Sequence, residues 1–220
     1  MKNIVLLGAP ATGKGTIANK LTEIGYTQVS ASDLLREEIK NKENKYYKEA
    51  KYSLDEGKLI SNEIICSMME NKIEKMKGKP VVFDGFARTV EQAELIKEAL
   101  NDKFLSVYLK YDNKNVLIDR VSSRLTCKDC ATTFSDKTVS SSSNCSDCNG
   151  SLYRRKDDNP ETMDRRLKEF EDNTLPAIKW LKDNTKKSNF LEFTIEKNSL
   201  QKMLKKIKKK VINKSRQQKI

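Results

Sequence analysis

The sequence predicts an α/β protein, a parallel sheet flanked by helices, and three observations carry that expectation. Short uninterrupted apolar runs recur, segments with apolar residues three and four apart lie between them, and two polar segments break the alternation. Ile4-Val5-Leu6-Leu7, closed by Gly8-Ala9-Pro10, has the composition of a strand buried on both faces. Residues 26–30 form a weaker strand candidate. Pro80-Val81-Val82-Phe83 runs into Asp84-Gly85, residues 104–109 run into Lys110, and Phe190-Leu191-Glu192-Phe193 comes near the end. Helical spacing joins Ile17, Leu21 and Ile24, then Ile60, Ile64, Ile65, Met68, Met69 and Ile73, then Ala93, Leu95, Ile96 and Leu100. Leu200, Met203, Leu204, Ile207 and Val211 predict a last helix with one apolar stripe and a lysine face in water.

Residues 31–60 are polar, rich in lysine and without a strand signal, so they read as a helical insert. Residues 121–158 hold four cysteines and a Thr/Ser-rich stretch at 138–143, and are too polar to fold on an apolar core of their own. A chain of 220 residues fits one core domain that carries such inserts. With 37% apolar and 34% charged residues, wholesale disorder is excluded.

The formal net charge is +12, but residues 202–220 contribute eight lysines and one arginine with no acid, leaving only +3 for the rest. The basicity belongs to the C-terminal end, and nucleic acid is not the expected partner. The chain has no histidine, which excludes every mechanism that needs an imidazole. No stretch approaches the roughly 18 apolar residues of a membrane span, and the first apolar run is too short for a signal peptide. The expectation is a cytoplasmic protein with no membrane partner, where clustered cysteines hold metal more often than disulfides.

The segment Gly8-Ala9-Pro10-Ala11-Thr12-Gly13-Lys14-Gly15-Thr16 follows the first strand and leads into the first helix, satisfying G-x-x-x-x-G-K. Glycines there let backbone N–H groups converge on phosphate oxygens, Lys14 can reach the outer phosphates, and a hydroxyl at Thr16 can face Mg²⁺. Asp84, at the end of an apolar run, is placed to present a carboxylate to the same magnesium shell through water. These features make the core of the P-loop NTPase type.

Set beside Asp84-Gly85-Phe86-Ala87-Arg88-Thr89, the phosphate loop resembles that of the adenylate kinase family, with its Asp-Gly-Phe-Pro-Arg-Thr motif, and the likeness spans nearly the whole chain. Val29-Ser30-Ala31-Ser32-Asp33-Leu34-Leu35-Arg36 resembles the family's monophosphate-site segment, and Gly57-Lys58-Leu59-Ile60 its Gly-Lys-Leu-Val. Asp119-Arg120 through Arg124-Leu125-Thr126 looks like the start of the family's lid, and residues 152–167 are similar to its exit. The resemblance implies a core of residues 1–30, 61–120 and 159–220, a monophosphate-binding insert at 31–60 and a lid at 121–158. It implies reversible, Mg²⁺-dependent transfer between ATP and AMP to give ADP, which maintains adenine nucleotide balance, by a monomer.

Residue by residue, the resemblance implies that Ala11, Thr12, Gly13, Lys14, Gly15 and Thr16 hold ATP phosphates, with Arg120 and Arg124. Thr133, Phe134 and Asn198 would meet the rest of ATP. Arg36 and Arg88 would take the AMP phosphate, Gln92 the adenine edge, the backbone of Lys58, Leu59 and Ile60 would line the base pocket, and Ala31, Gly85, Phe86 and Ala87 would form the rest of the AMP site. Lys14, Arg88, Arg124, Arg155 and Arg166 would act on the transferring phosphoryl group, the last two also touching AMP. The chemistry fits independently, because a phosphate acceptor is already ionised near neutral pH and needs no general base. Arginine suits the task, since its planar fork grips phosphate oxygens in pairs.

The sequence departs from the family pattern at four places: Ala11, Ser32 and Ala87 stand where Gly, Gly and Pro are usual, and Ala31 where Thr is. Ser-Ala-x-Asp-Leu-Leu-Arg resembles the version in UMP/CMP kinases, whereas Thr89 and Gln92 match the AMP type, so a pyrimidine monophosphate kinase is the alternative. Cys127, Cys130, Cys145 and Cys148 give C-x₂-C-x₁₄-C-x₂-C, a spacing suited to structural Zn²⁺ in a zinc-knuckle lid. A rival of another class is a zinc-knuckle nucleic-acid-binding protein whose phosphate loop is a relic. Cys66, on an apolar helical face, reads as a small buried hydrophobe.

Overall fold

Six consecutive residues of β1 (Asn3–Gly8) pair with neighbouring strands, with Ile4, Val5, Leu6 and Leu7 all buried, so β1 is the central strand its unbroken apolar run predicts. The computed structural model describes residues 1–139 and 144–212; residues 140–143 of the Thr/Ser-rich stretch and 213–220 of the basic tail lie outside the described residues. After β1 come α1 (Lys14–Thr22), β2 (Thr27–Ser30), α2 (Ala31–Glu38), α3 (Tyr47–Glu56), α4 (Asn62–Lys75) and β3 (Val81–Asp84). The chain continues through α5 (Val90–Ala99), β4 (Phe104–Lys110) and α6 (Lys114–Ser122), then β5 (Arg124–Cys127), β6 (Thr133–Ser135) and β7 (Leu152–Tyr153). It closes with α7 (Pro160–Glu169), a π-helical turn (Phe170–Thr174), α8 (Leu175–Asn184), β8 (Phe190–Thr194) and α9 (Leu200–Ile212).

The main sheet is wholly parallel in the order β2-β3-β1-β4-β8. The chain builds outward from β1 first to one side and then to the other, so the crossovers part at its C-terminal end. In an open α/β sheet a crevice forms at such a switch point. Five helix starts are fixed by side chains that accept from backbone N–H groups one turn on: Ser30 from Asp33, Ser61 from Ile64, Thr89 from Gln92, Asn159 from Thr162 ahead of Pro160, and Ser199 from Lys202.

Residues 31–60 fold as α2 and α3, the latter ended by Gly57 in the left-handed region (φ 67°). Arg165 of α7 donates to the Glu56 carbonyl at 2.8 Å and anchors that end. Within the second insert, β5, β6 and β7 form a small antiparallel sheet in the order β6-β5-β7, with Leu125 opposite Phe134 and Cys127 opposite Leu152. In α9, Met203, Ile207 and Val211 are buried, as the spacing of apolar residues predicts, each burial contributing about 2 kcal/mol. Cys66 is half-buried against the core rather than fully enclosed, because it lies toward the edge of the α4 face on which Ile65 and Met69 are buried.

The turn that ends β1 tolerates little. Gly8 has φ 146°, and a Cβ there would lie 2.7 Å from the Leu109 carbonyl oxygen and 2.9 Å from Thr12 Oγ1. Gly13 has φ 95°, but a Cβ there would meet no atom within 4 Å. Gly8→Ala is therefore expected to lower the unfolding free energy by about 3 kcal/mol, strain and collision together. Gly13→Ala carries the conformational cost alone, about 1 kcal/mol. Urea unfolding midpoints of the two variants test that order.

Candidate active site

The loop from Gly8 to the start of α1 curls over the C-terminal end of β1 through three residues of positive φ, Ala11 (φ 62°) among them. Ala11 thus takes a conformation that glycine adopts without penalty, at a cost of about 1 kcal/mol. Thr12 Oγ1 bonds the Ala9 carbonyl at 2.8 Å and braces the curl from inside. Lys14 folds back on the loop, its Nζ donating to the carbonyls of Gly8 at 2.7 Å and Ala9 at 2.8 Å. Burial pushes the Lys14 amine down to about 7, with nearby arginines adding to the effect and Asp84 opposing it. Burial also pushes the Asp84 carboxyl up, against the pull of Lys14 and Arg88.

The loop floors a cleft of about 610 Å³, within the roughly 300–1,000 Å³ usual for a ligand site. Seven cationic side chains line it, Lys14, Arg36, Arg88, Arg120, Arg124, Arg155 and Arg166, against three carboxylates, Asp33, Asp84 and Asp119. Such an excess fits a polyanionic ligand. Thr16, Thr133, Phe134 and Asn198 also line this cleft, so β6 and the residues before α9 supply its far wall. Arg120 Nη1 donates to the Ala11 carbonyl at 3.3 Å, tying α6 to the loop.

Beside the cleft a narrow pocket of about 20 Å³ is lined by Ala31, Leu35, Leu59, Ile60, Gln92 and neighbours. Arg88 stands at its mouth: Nε donates to the Gly85 carbonyl at 2.8 Å, Nη2 to Ser32 Oγ at 3.2 Å, and burial lowers the guanidinium's pKa. Gln92 Oε1 accepts from the Arg88 backbone N–H at 2.8 Å, and its Nε2 donates to Asn62 Oδ1 at 2.8 Å. Asn62 Oδ1 also accepts from Thr89 Oγ1 at 3.1 Å. Asn62 therefore orients both residues, a role that lies outside the motifs because it comes from another helix. Three residues of the sequence-based AMP site stand apart from these two cavities, among them Ala87, which is buried and lines a separate pocket beside Lys14. The Lys58 side chain points outward, its Nζ 3.3 Å from the Tyr52 hydroxyl, and Phe86 is wholly buried in the core.

Two aspartates near the start of α7 hold the arginines. Arg124 Nε donates to Asp158 Oδ2 at 2.8 Å and its Nη2 to Oδ1, with the Asp158 side chain fully buried. Burial disfavours charge on Arg124, but Asp158 outweighs it and raises its pKa. Asp157 Oδ2 lies 2.9 Å from Arg166 Nη1 and 3.7 Å from Arg36 Nη2, linking α7 to α2. Burial depresses the Arg166 pKa to about 10, and Arg155 Nε is buried with no partner among the described residues. In sequence, Asp157 and Asp158 fall in the segment that marks the lid's exit, and an adjacent acidic pair among arginines is the one local signal of their role.

The four clustered cysteines meet the geometry of a tetrahedral metal site. All four Sγ atoms lie within 4.8 Å of one another, with Cys127 to Cys148 at 3.5 Å and Cys130 to Cys145 at 3.6 Å. Four sulfurs about 2.3 Å from a central Zn²⁺ stand roughly 3.8 Å apart, so the donor set fits zinc. The Asp129 and Asp147 N–H groups each point at a sulfur two residues earlier, at 3.4 Å, which suits thiolates. Cys130 and Ala131 also line the cleft, and Thr132 Oγ1 accepts from Asn19 Nδ2 of α1 at 3.4 Å.

The adenylate kinase family model matches residues 6–187. An adenylate kinase of Caldicellulosiruptor saccharolyticus is 34% identical over 190 residues, covering 82% of this chain and 86% of that protein. One from Thermosipho melanesiensis is 33% identical over 192 residues, covering 84% and 89%. One from Borrelia recurrentis is 33% identical over 218 residues, covering 95% and 99%.

With its pKa near 7, Lys14 is largely neutral at pH 8 while the loop is empty, and phosphate anions entering the loop favour its ammonium form. Binding of inorganic triphosphate at pH 8 is therefore expected to take up about one proton, an uptake that fades below pH 7 where the amine is already charged. Calorimetric titration in two buffers of different ionisation enthalpy measures it, and Lys14→Met should abolish it.

Proposed function

The chain belongs to the adenylate kinase family, and from that premise we propose how its cleft transfers a phosphoryl group between ATP and AMP. The protein is a nucleoside monophosphate kinase that catalyses ATP + AMP = 2 ADP. One observation carries the assignment of residues: a phosphate loop and a ring of seven cations share one cleft with an apolar side pocket.

ATP lies with its phosphates along residues 11–16, held by Lys14, Arg120 and Arg124, and its base toward Thr133, Phe134 and Asn198. The AMP phosphate meets Arg36 and Arg88, while its base is received between Ala31, Leu59, Ile60 and Gln92, which part to widen the narrow pocket there. Arg124, Arg155 and Arg166 stand between the two and neutralise charge on the moving group. The unpartnered Arg155 Nε and the weak 3.7 Å contact of Arg36 with Asp157 leave donors available to phosphate oxygens. No side chain needs to remove a proton, which accords with a chain that has no histidine. Residues 31–60 act as the monophosphate-binding insert and 121–158 as the lid on a core of 1–30, 61–120 and 159–220, and their closure keeps water from competing with AMP.

In this family Mg²⁺ accompanies ATP, and Asp84 and Thr16, both on the cleft wall, are the residues that would face it through water. When bound it offsets charge on the phosphate oxygens. Cys127, Cys130, Cys145 and Cys148 would hold a structural Zn²⁺ that fixes the lid sheet. The same reading makes the protein a cytosolic monomer.

Initial rates with AMP, CMP, UMP and GMP test the acceptor site. AMP is expected to be preferred by at least about tenfold in kcat/KM, and a preference for CMP or UMP would mean that Ala31 sets a pyrimidine site. Arg88→Ala should cut kcat/KM by about 10²–10³-fold, and near-normal turnover in that variant would overturn the AMP phosphate assignment. Removal of metal by a chelator should lower the melting temperature before it lowers the rate. An unchanged melting curve after verified metal loss would sink the structural role of the thiolates.

A further inference from the structure

All five parallel strands begin at the end of the molecule opposite the nucleotide cleft. Helix α9 runs from one end to the other. Met203, in its first turn, lines the cleft, whereas Lys210, in its last, donates to the Ser188 carbonyl at 3.3 Å, just ahead of β8. The next residue, Asn189, accepts from Lys2 Nζ at 2.6 Å, and the Lys2 carbonyl takes the Tyr26 hydroxyl at 2.8 Å. These contacts gather the starts of β1, β2 and β8 and the end of α9 into one face.

That face is basic. Lys186, Lys187 and Lys209 are exposed and have no side-chain partner among the described residues, as are Lys79 and Lys103 at the starts of β3 and β4. Of the carboxylates nearby, Glu23 is held by Lys20 and Glu74 by Lys77, each at 2.6 Å, and Asp102 by Lys97 at 3.3 Å, which leaves Glu98 and Asp183 against the five lysines. Among the described residues, two of the four exposed large apolar side chains, Met1 (58% exposed) and Ile212 (48%), flank the same lysines. In sequence, Ile212 is followed by residues 213–220 with Lys214, Arg216, Lys219 and no acid.

We propose that this face docks on a bilayer surface rich in anionic phospholipid, with the nucleotide cleft turned away toward solution. The apolar stripe of α9 is committed to the core, so the contact is adsorption through charge, with Met1 and Ile212 as shallow anchors. The expectation of no membrane partner rests on the lack of a spanning segment. No helix among the described residues is long and apolar enough to cross a membrane, and adsorption needs none. Residues 200–220 hold no aromatic side chain on which a base could stack, which argues for lipid over a single-stranded nucleic acid.

The test is co-sedimentation of the full chain with vesicles of phosphatidylcholine, alone or with about one third phosphatidylserine, at roughly 0.1 M and 0.5 M salt. The proposal expects binding to the anionic vesicles only, lost at the higher salt. Lys187→Glu, Lys209→Glu and Lys210→Glu together should reduce binding by about tenfold, with ATP–AMP turnover unchanged. The same charge change at Lys42, Lys45 and Lys48, on the cleft side, should leave binding intact. If the triple reversal unfolds the chain, the Lys→Gln version makes the comparison. Equal binding to neutral vesicles, no binding to anionic ones, or an equal loss in the control variant overturns the proposal. So does tighter binding to a duplex or single-stranded oligonucleotide at the same salt, which would make the face a nucleic-acid surface.

Discussion

Arg36, Arg124, Arg155 and Arg166 repel one another, and they share one cleft because Asp157 and Asp158 stand among them. A buried ion pair gains little net stability, since desolvation offsets the attraction, but losing one partner leaves a buried charge exposed to its neighbours' repulsion. The arrangement is therefore a placement device more than a source of stability. Asp158 grips Arg124 with both oxygens and fixes the plane of its guanidinium, whereas Asp157 divides itself between two arginines and holds neither as tightly. The firmly held arginine and the loosely held ones differ in how readily they can turn toward an incoming anion.

The same cleft depends on a second constraint, the density of backbone at the end of β1. Gly8 passes so close to Leu109 that no side chain fits, and the loop then turns through residues of positive φ to bring Lys14 over its own carbonyls. Those carbonyls accept from Lys14, and burial makes its charge costly there. The loop is thus built to receive a negative charge beyond that of Asp84.

The main sheet was legible because its inner strands are buried on both faces, and an unbroken apolar run such as Ile4-Val5-Leu6-Leu7 has few other readings. The phosphate loop was legible for a different reason, that a sharp turn ahead of a helix confines glycine and lysine to fixed positions. Asn62, Asp157 and Asp158 were not, because their partners lie on other elements and no local spacing marks a side chain that acts through a distant one. Lys58 and Phe86 show the converse: they stand inside motifs whose neighbours line the cavities, yet the turn of the backbone sends one outward and the other into the core. Ala11 shows that a residue can differ from an expected glycine while the backbone keeps the glycine conformation.

Helix α9 has 13 residues, a rod of roughly 20 Å, and it joins the two ends of the protein. Its start, together with Asn198 and Ser199, forms part of the cleft wall, and its end lies against the segment that feeds β8. No loop or hinge interrupts it, and its buried side chains lock it along its length. A C-terminal trim that removed its last turns would thus unseat a wall of the cleft from behind, so proteolysis far from the nucleotides has a direct mechanical route to them.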